Sequence, residues 1–190
     1  MSIEYKQNVT EELLNSLKKS TGIQITDVVY EDGNEVFDEI KEYVDSVLPI
    51  YSKVTEAEVS EIMTVVEGRN NGTLKVHECI TLWFIDGSHL RFSPLGKDAL
   101  EITRLWVKPE NHGNGIGSFL METFENIVTE IIGELTRIEL ECTGGLGIGG
   151  NFQSTPIEEQ KMFFERFGYK VIKSVNGVLR LRKGKYRNRA

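Results

Sequence analysis

The stretch from Glu101 to Leu120 constrains this chain more than any other. An apolar strand, Glu-Ile-Thr-Arg-Leu-Trp-Val, runs into a loop with glycine at 113, 115 and 117, and an amphipathic helix follows at once. Glycines leave the backbone N–H groups uncovered, and the start of a helix adds orphan donors and the positive end of its dipole. Together these form a cradle for a phosphate or pyrophosphate group. An acidic residue, Glu101, sits on the strand that feeds the cradle.

The loop alone admits three readings. A P-loop needs Gly-Lys-Ser or Gly-Lys-Thr to reach phosphates and Mg²⁺, and this loop has no lysine. A dinucleotide fold places its glycine turn after the first strand of a βαβ unit, whereas here three strand-like runs, the first two in hairpin-like order, lead up to the turn. The third reading is a tight strand-to-helix turn that uses glycine for backbone freedom only. On the loop by itself this last reading is the simplest.

The surrounding pattern predicts a mixed α/β chain. Residues 8–19 read as a short helix capped by Asn8 or Thr10, with Leu13, Leu14 and Leu17 on one face and Gly22 as its stop. A strand over 23–30 and a helix over 34–48 follow. A third helix is expected from the capping box Thr55-Glu-Ala-Glu58, with Val59, Ile62, Met63 and Val66 as its apolar stripe before Gly68. Two strand-like runs, 74–85 and 89–92, flank the hairpin signal Asp86-Gly87. After the strand over 99–107 and its helix to Ile132 come a strand over 136–142 and a glycine-rich loop over 144–150. A helix over 155–167 and a terminal hairpin on Asn176-Gly177 complete the order.

With that context the turn His112-Gly-Asn-Gly115-Ile-Gly117 resembles the acyl-CoA motif of the GNAT superfamily of N-acetyltransferases, Gln/Arg-x-x-Gly-x-Gly/Ala. Phe163-Phe-Glu-Arg-Phe-Gly168-Tyr169 is similar to that family's Phe-Tyr-x-x-x-Gly-Phe before the last hairpin. The departures are His112 for Gln or Arg and Phe164 for the usual Tyr. The resemblance covers roughly Ile23 to Leu181. It implies an α/β (α+β) fold: a single domain over 23–183 with a mixed, splayed sheet flanked by helices. Residues 1–22 would be an extra N-terminal helical extension and 184–190 a basic tail. It also implies acetyl-CoA as cosubstrate, with no metal. Backbone amides of Gly113, Asn114, Gly115, Ile116, Gly117 and Ser118 would bind the pyrophosphate. The backbone of Leu105, Trp106 and Val107 would pair with the pantetheine arm as an added strand. His112 is expected either to hold the loop and add partial positive charge, or to be an exposed loop histidine.

Acetyl transfer to an amine needs a base, because the amine arrives as an ammonium. Glu101 lies eleven residues before His112, the spacing at which protein-lysine acetyltransferases of the family carry their strand glutamate. Beside Leu100 and Ile102 its pKa would rise, which suits a base. The alternative is a glutamate facing solvent or paired with Arg104. Glu139 and Glu141 share one face by period-two alternation and are left unassigned. Cys142 is expected to be a buried filler rather than a nucleophile. Phe164 cannot act as the family's general acid, so Tyr169, Tyr51 or water would substitute.

The charge distribution narrows the partners. Residues 180–190 hold six of the 22 basic residues and no acids, leaving 16 basic against 29 acidic side chains, or −13, on the preceding 179. An acidic body disfavours nucleic acid and favours a cationic amine acceptor, a small molecule or a protein amine. No apolar run approaches a membrane span and the N-terminus lacks a signal-peptide pattern, so a cytoplasmic location is expected. The N-terminal helix is expected to shape the acceptor cleft or a homodimer interface. Three functions stand: first an acetyl-CoA-dependent N-acetyltransferase using Glu101, second a non-catalytic acyl-CoA-binding or regulatory module, and third a nucleic-acid-associated protein using the basic tail.

Overall fold

A computed structural model describes residues 9–30, 34–67, 71–133, 137–143 and 155–184. The expected loop over 144–150 and nearly all of the basic tail lie outside these. Contacts divide the chain into two compact units. One comprises residues 1–32 with 61–78; the other comprises 33–60 with 79–190.

In the first unit, helix α1 (Glu11–Thr21) starts where Thr10 Oγ1 accepts from Leu13 N, and ends at Gly22 in the left-handed conformation. Strand β1 (Ile25–Tyr30) pairs in parallel with Gly72–Val76, the first part of β3 (Gly72–Phe84). Val9, Ile25, Leu74 and Val76 are buried there, and Leu14 and Leu17 of α1 pack against them.

The second unit holds the larger core. Antiparallel pairing joins the end of β3 to β4 (His89–Leu95), and β4 to β5 (Ala99–Trp106). Strand β6 (Arg137–Cys142) runs parallel to β5. Strand β8 (Val178–Lys183) pairs antiparallel with β6, and β7 (Lys170–Val175) pairs antiparallel with β8. The parallel β5–β6 step is made by α3 (Ile116–Ile132), as a parallel pair requires a crossover. Leu120, Phe124, Ile127 and Val128 of α3 pack with Phe37, Ile40 and Val44 of α2 (Glu35–Val47) over Leu100, Ile102, Ile138 and Leu140. Helix α4 (Ile157–Glu165) adds Phe164 to this core. Glu101, Glu139 and Arg182, being out of phase with those core residues, line the opposite face of the sheet.

One expected element is different. The segment read as a third helix is strand β2 (Val54–Glu67), paired with β3. Seven of its residues are β-branched (Val54, Thr55, Val59, Ile62, Thr64, Val65 and Val66), which lose rotamer freedom in a helix and suit a pleated surface. The supposed capping box works across strands instead. Thr55 Oγ1 donates to Trp83 O, and Glu58 accepts the Trp83 indole N–H at 2.8 Å. Val59, Met63 and Val66, expected as a buried stripe, are 45%, 37% and 43% exposed.

Asn34 links α2 to the strand that carries the candidate base. Its Oδ1 accepts from Phe37 N at 2.7 Å as the N-cap, and its Nδ2 donates to Ala99 O at 2.7 Å and Gly96 O at 3.1 Å. Asn34→Ala removes a cap and strands two carbonyls at a residue only 3% exposed. We expect a loss of about 2–4 kcal/mol in urea unfolding; a change below about 0.5 kcal/mol would contradict this role.

Candidate functional site

The site begins where two strands part. β5 and β6 are paired only from Ala99–Arg137 to Ile102–Leu140. Immediately beyond, the β4–β5 register slips: Phe92 faces Ile102 but Arg91 faces Arg104, so Thr103 is the extra residue of a bulge. A bulge bends its strand and increases the local twist. From Thr103 onward β5 keeps β4 as its only strand partner among the described residues. Its other edge offers unpaired backbone groups, which an extended ligand can complete as an added strand. Leu105, Trp106 and Val107 occupy that edge.

At the end of the edge lies the glycine turn. Gly113 and Gly115 have φ of 82° and 78°, a conformation that L side chains rarely adopt. A Cβ on either would meet nothing within 4 Å, so open space lies beside both. The first backbone bond into α3 is Phe119 N to Gly115 O, and no side chain caps the helix. The N–H groups of Ile116, Gly117 and Ser118 are therefore without acceptors inside the helix, at the positive end of its dipole. That combination fits a pyrophosphate. His112 Nε2 donates to Val107 O at 2.9 Å, which ties the turn to the strand end and occupies one carbonyl of the free edge.

A further set of anchors had no signal in the sequence beyond the Asp86-Gly87 turn. Asp86 Oδ1 accepts from Ser88 N at 2.7 Å and Oδ2 from Asn111 Nδ2 at 2.5 Å, while Ser88 Oγ accepts from Lys108 N at 3.0 Å. The β3–β4 hairpin thus grips both ends of the segment that leads into the glycines.

Glu101 stands one residue before the strands part, in register with Glu139 on β6 and Ser93 on β4. Its cationic partner is Arg180 of β8, with Nη2 3.4 Å from Glu101 Oε1, and not Arg104. Arg180 Nε also lies 3.1 Å from Glu139 and 3.9 Å from Glu141. Glu139 itself is 4% exposed and is held by Arg182 at 2.8 Å and Arg137 at 3.4 Å. Burial raises the Glu101 pKa; Arg180 pulls it down, and Glu141 and Glu139 push it up again. The net direction is upward, above the ordinary glutamate value, which favours proton uptake by this carboxylate over an unperturbed one.

Other titratable groups fall outside this role. Cys142 is fully buried and burial pushes its thiol up to about 11, so it is no nucleophile. Phe164 is buried between Phe163 and Tyr169. The Tyr169 hydroxyl is buried too, and burial and the neighbouring Glu125 raise its pKa well above that of free tyrosine. Tyr51 lies beside Glu130, about 20 Å along α3 from the glycine turn at 1.5 Å per residue.

Gly115 provides a direct check on the cradle. Because open space surrounds its missing Cβ, Gly115→Ala carries only the conformational cost of a left-handed alanine, about 1–2 kcal/mol in thermal or urea unfolding. An unchanged midpoint would mean that the turn does not hold this conformation.

A protein-family profile described as an acetyltransferase (GNAT) domain matches residues 65–171, more than half of the chain. No curated protein matches it. Solved structures similar to it include nourseothricin acetyltransferase, at 13% identity over 75% of this chain and 93% of that one with a TM-score of 0.40. Another is the PaiA N-acetyltransferase of Thermoplasma acidophilum in complex with coenzyme A, at 16% identity over 94% and 81% with a TM-score of 0.41. A third is a Bacillus subtilis acetyltransferase in complex with CoA, at 17% identity over 82% and 95% with a TM-score of 0.39. On the strength of the profile match, the chain belongs to the GNAT family of acetyltransferases.

Proposed function

We propose that the protein transfers an acetyl group from acetyl-CoA to a primary amine by direct attack in a ternary complex, with Glu101 as general base. One observation carries the reading. The strand that presents Glu101 at the strand divergence is the same strand whose free edge leads to the glycine cradle. The cradle amides, residues 113–118, hold the pyrophosphate, and residues 105–107 align the pantetheine arm along the open edge. His112 keeps the turn closed on Val107.

Glu101 takes a proton from the bound ammonium, directly or through water, and frees its lone pair. The nitrogen attacks the thioester carbonyl; a C–N bond forms, the C–S bond breaks, and its electron pair leaves with sulfur. Backbone N–H groups on the free edge of β5 stabilise the negative charge that gathers on the carbonyl oxygen. A thiolate with a pKa of about 8.5 leaves without a dedicated acid; the second proton, shed by the nitrogen as the amide forms, reaches it through water, so Phe164 is compatible with turnover. No covalent intermediate with the protein is needed, and holding the two substrates together supplies much of the rate.

Release of CoA thiol across a panel of primary amines tests this directly. Glu101→Gln is expected to lower kcat by about 10²–10⁴ and to remove the acid limb of the pH profile. That limb lies above the ordinary carboxylate range in the wild type, because activity requires the ionised form of a group whose pKa is raised. Arg180→Gln is expected to move the limb to higher pH, since the arginine is what pulls Glu101 down. Full activity of Glu101→Gln across the pH range would remove that residue from the mechanism. Tight CoA binding without turnover of any amine would instead support a non-catalytic acyl-CoA-binding module.

A further inference from the structure

The sheet face opposite the α2–α3 core carries five arginines among the described residues, and three of them are neutralised around Glu139. Arg137, Arg180 and Arg182 each lie within 3.4 Å of its carboxylate. Arg91 and Arg104 are different. They stand directly opposite each other on β4 and β5, an arrangement of like charges that costs stability. Arg91 Nε donates to Thr81 Oγ1 at 3.3 Å, and neither arginine has a carboxylate partner among the described residues. In a chain with 29 acidic and 22 basic side chains, acids were available to neutralise them.

Their position gives the pair a meaning. Leu90, Phe92, Ile102 and Leu105 point into the core, so Arg91 and Arg104 share the face of Ser93 and Glu101, the neighbouring pair on that face. Successive pairs on one face are about 7 Å apart. On the other side of the arginines the next pair is His89 and Trp106. His89 lies between two indoles, 4.6 Å from Trp83 and 5.4 Å from Trp106 by ring centroid. It is 7% exposed, and its Nε2 is buried without a hydrogen-bond partner. Burial lowers the His89 pKa, and the charges of Arg104 and Arg91 lower it further, which puts both guanidinium groups within electrostatic reach of the ring. The face thus runs from carboxylates at Glu101, Glu139 and Glu141 to unneutralised cations at Arg91 and Arg104, backed by an aromatic shelf.

Resting on the function proposed above, we infer that the acceptor is a zwitterion-like amine: its ammonium faces Glu101, and a carboxylate or phosphate set back along the molecule is held by Arg91 and Arg104. Arginine suits this task because its planar fork matches both oxyanions. The acid excess of the whole chain favours a cationic acceptor; the local charge order adds an anionic group to that cation. A diamine of the same length would bring a second cation onto the arginine pair, so the site also rejects by repulsion.

The test compares four amines of matched chain length: an ω-amino carboxylate, an ω-amino phosphonate, a simple alkylamine and a diamine. Thiol release is read for the wild-type protein and for the double substitution Arg91→Gln, Arg104→Gln. Wild-type kcat/KM is expected to be at least about ten-fold higher for an anion-bearing amine than for the alkylamine, from charge-assisted hydrogen bonding, and lowest for the diamine. The two anionic arms decide between carboxylate and phosphate. The double variant should bring the favoured substrate down to the alkylamine level, with alkylamine turnover and CoA affinity by calorimetry unchanged, which also shows that it is folded. Equal turnover of all four amines, a preference for the diamine, or an equal loss on every substrate in the variant overturns the inference while leaving amine acetylation standing. Acetyl-CoA binding without turnover of any amine overturns both.

Discussion

Everything at the site depends on the loss of pairing between β5 and β6 after Ile102 and Leu140. Backbone N–H and C=O groups are obligatory hydrogen-bonding groups, so a strand that leaves its neighbour must find other partners or face solvent. The bulge at Thr103 produces the departure by bending β5 at the residue where pairing stops. Its consequences appear on both faces. On one, Leu105 stays in contact with the core; on the other, Glu101 and Arg104 bracket the bend. The glycine turn follows within a few residues, so an open edge and a ring of free amides are built from one continuous segment.

The second constraint is electrostatic. A glutamate as buried as Glu139 is tolerated because three arginines surround it; without them an uncompensated charge would remain in a poorly hydrated place. Arg180 is shared between that pair and Glu101. The sharing leaves Glu101 with one long contact and partial exposure, so burial and the neighbouring carboxylates outweigh the cation. Two glutamates in register on adjacent strands therefore have different tasks. Glu139 gathers the arginines, and Glu101 is the less tightly held of the two.

Much of this was legible in the sequence because it is local. The strand–turn–helix order around His112 to Ser118, the cap at Thr10, the Asn176-Gly177 hairpin and the alternation of Glu139 and Glu141 all follow from short-range rules. What failed or was missing is non-local. The 54–67 segment has an apolar spacing that fits a helix and a β-branched composition that fits a strand, and pairing with β3 decided between them. Arg180 is 79 residues from Glu101, so nothing in the sequence around Glu101 marks it as the partner; Arg104, three residues away, was the nearer candidate. The Arg91–Arg104 opposition depends on a bulge, which shifts the register by one residue and leaves no compositional trace.

Amide hydrogen exchange with and without CoA reads the backbone of the free edge and that of the cradle separately. Protection on CoA binding is expected to concentrate at residues 105–107 and 113–118, with β7 unchanged. Binding that leaves both segments exchanging as before, or protects a different part of the chain, would contradict it.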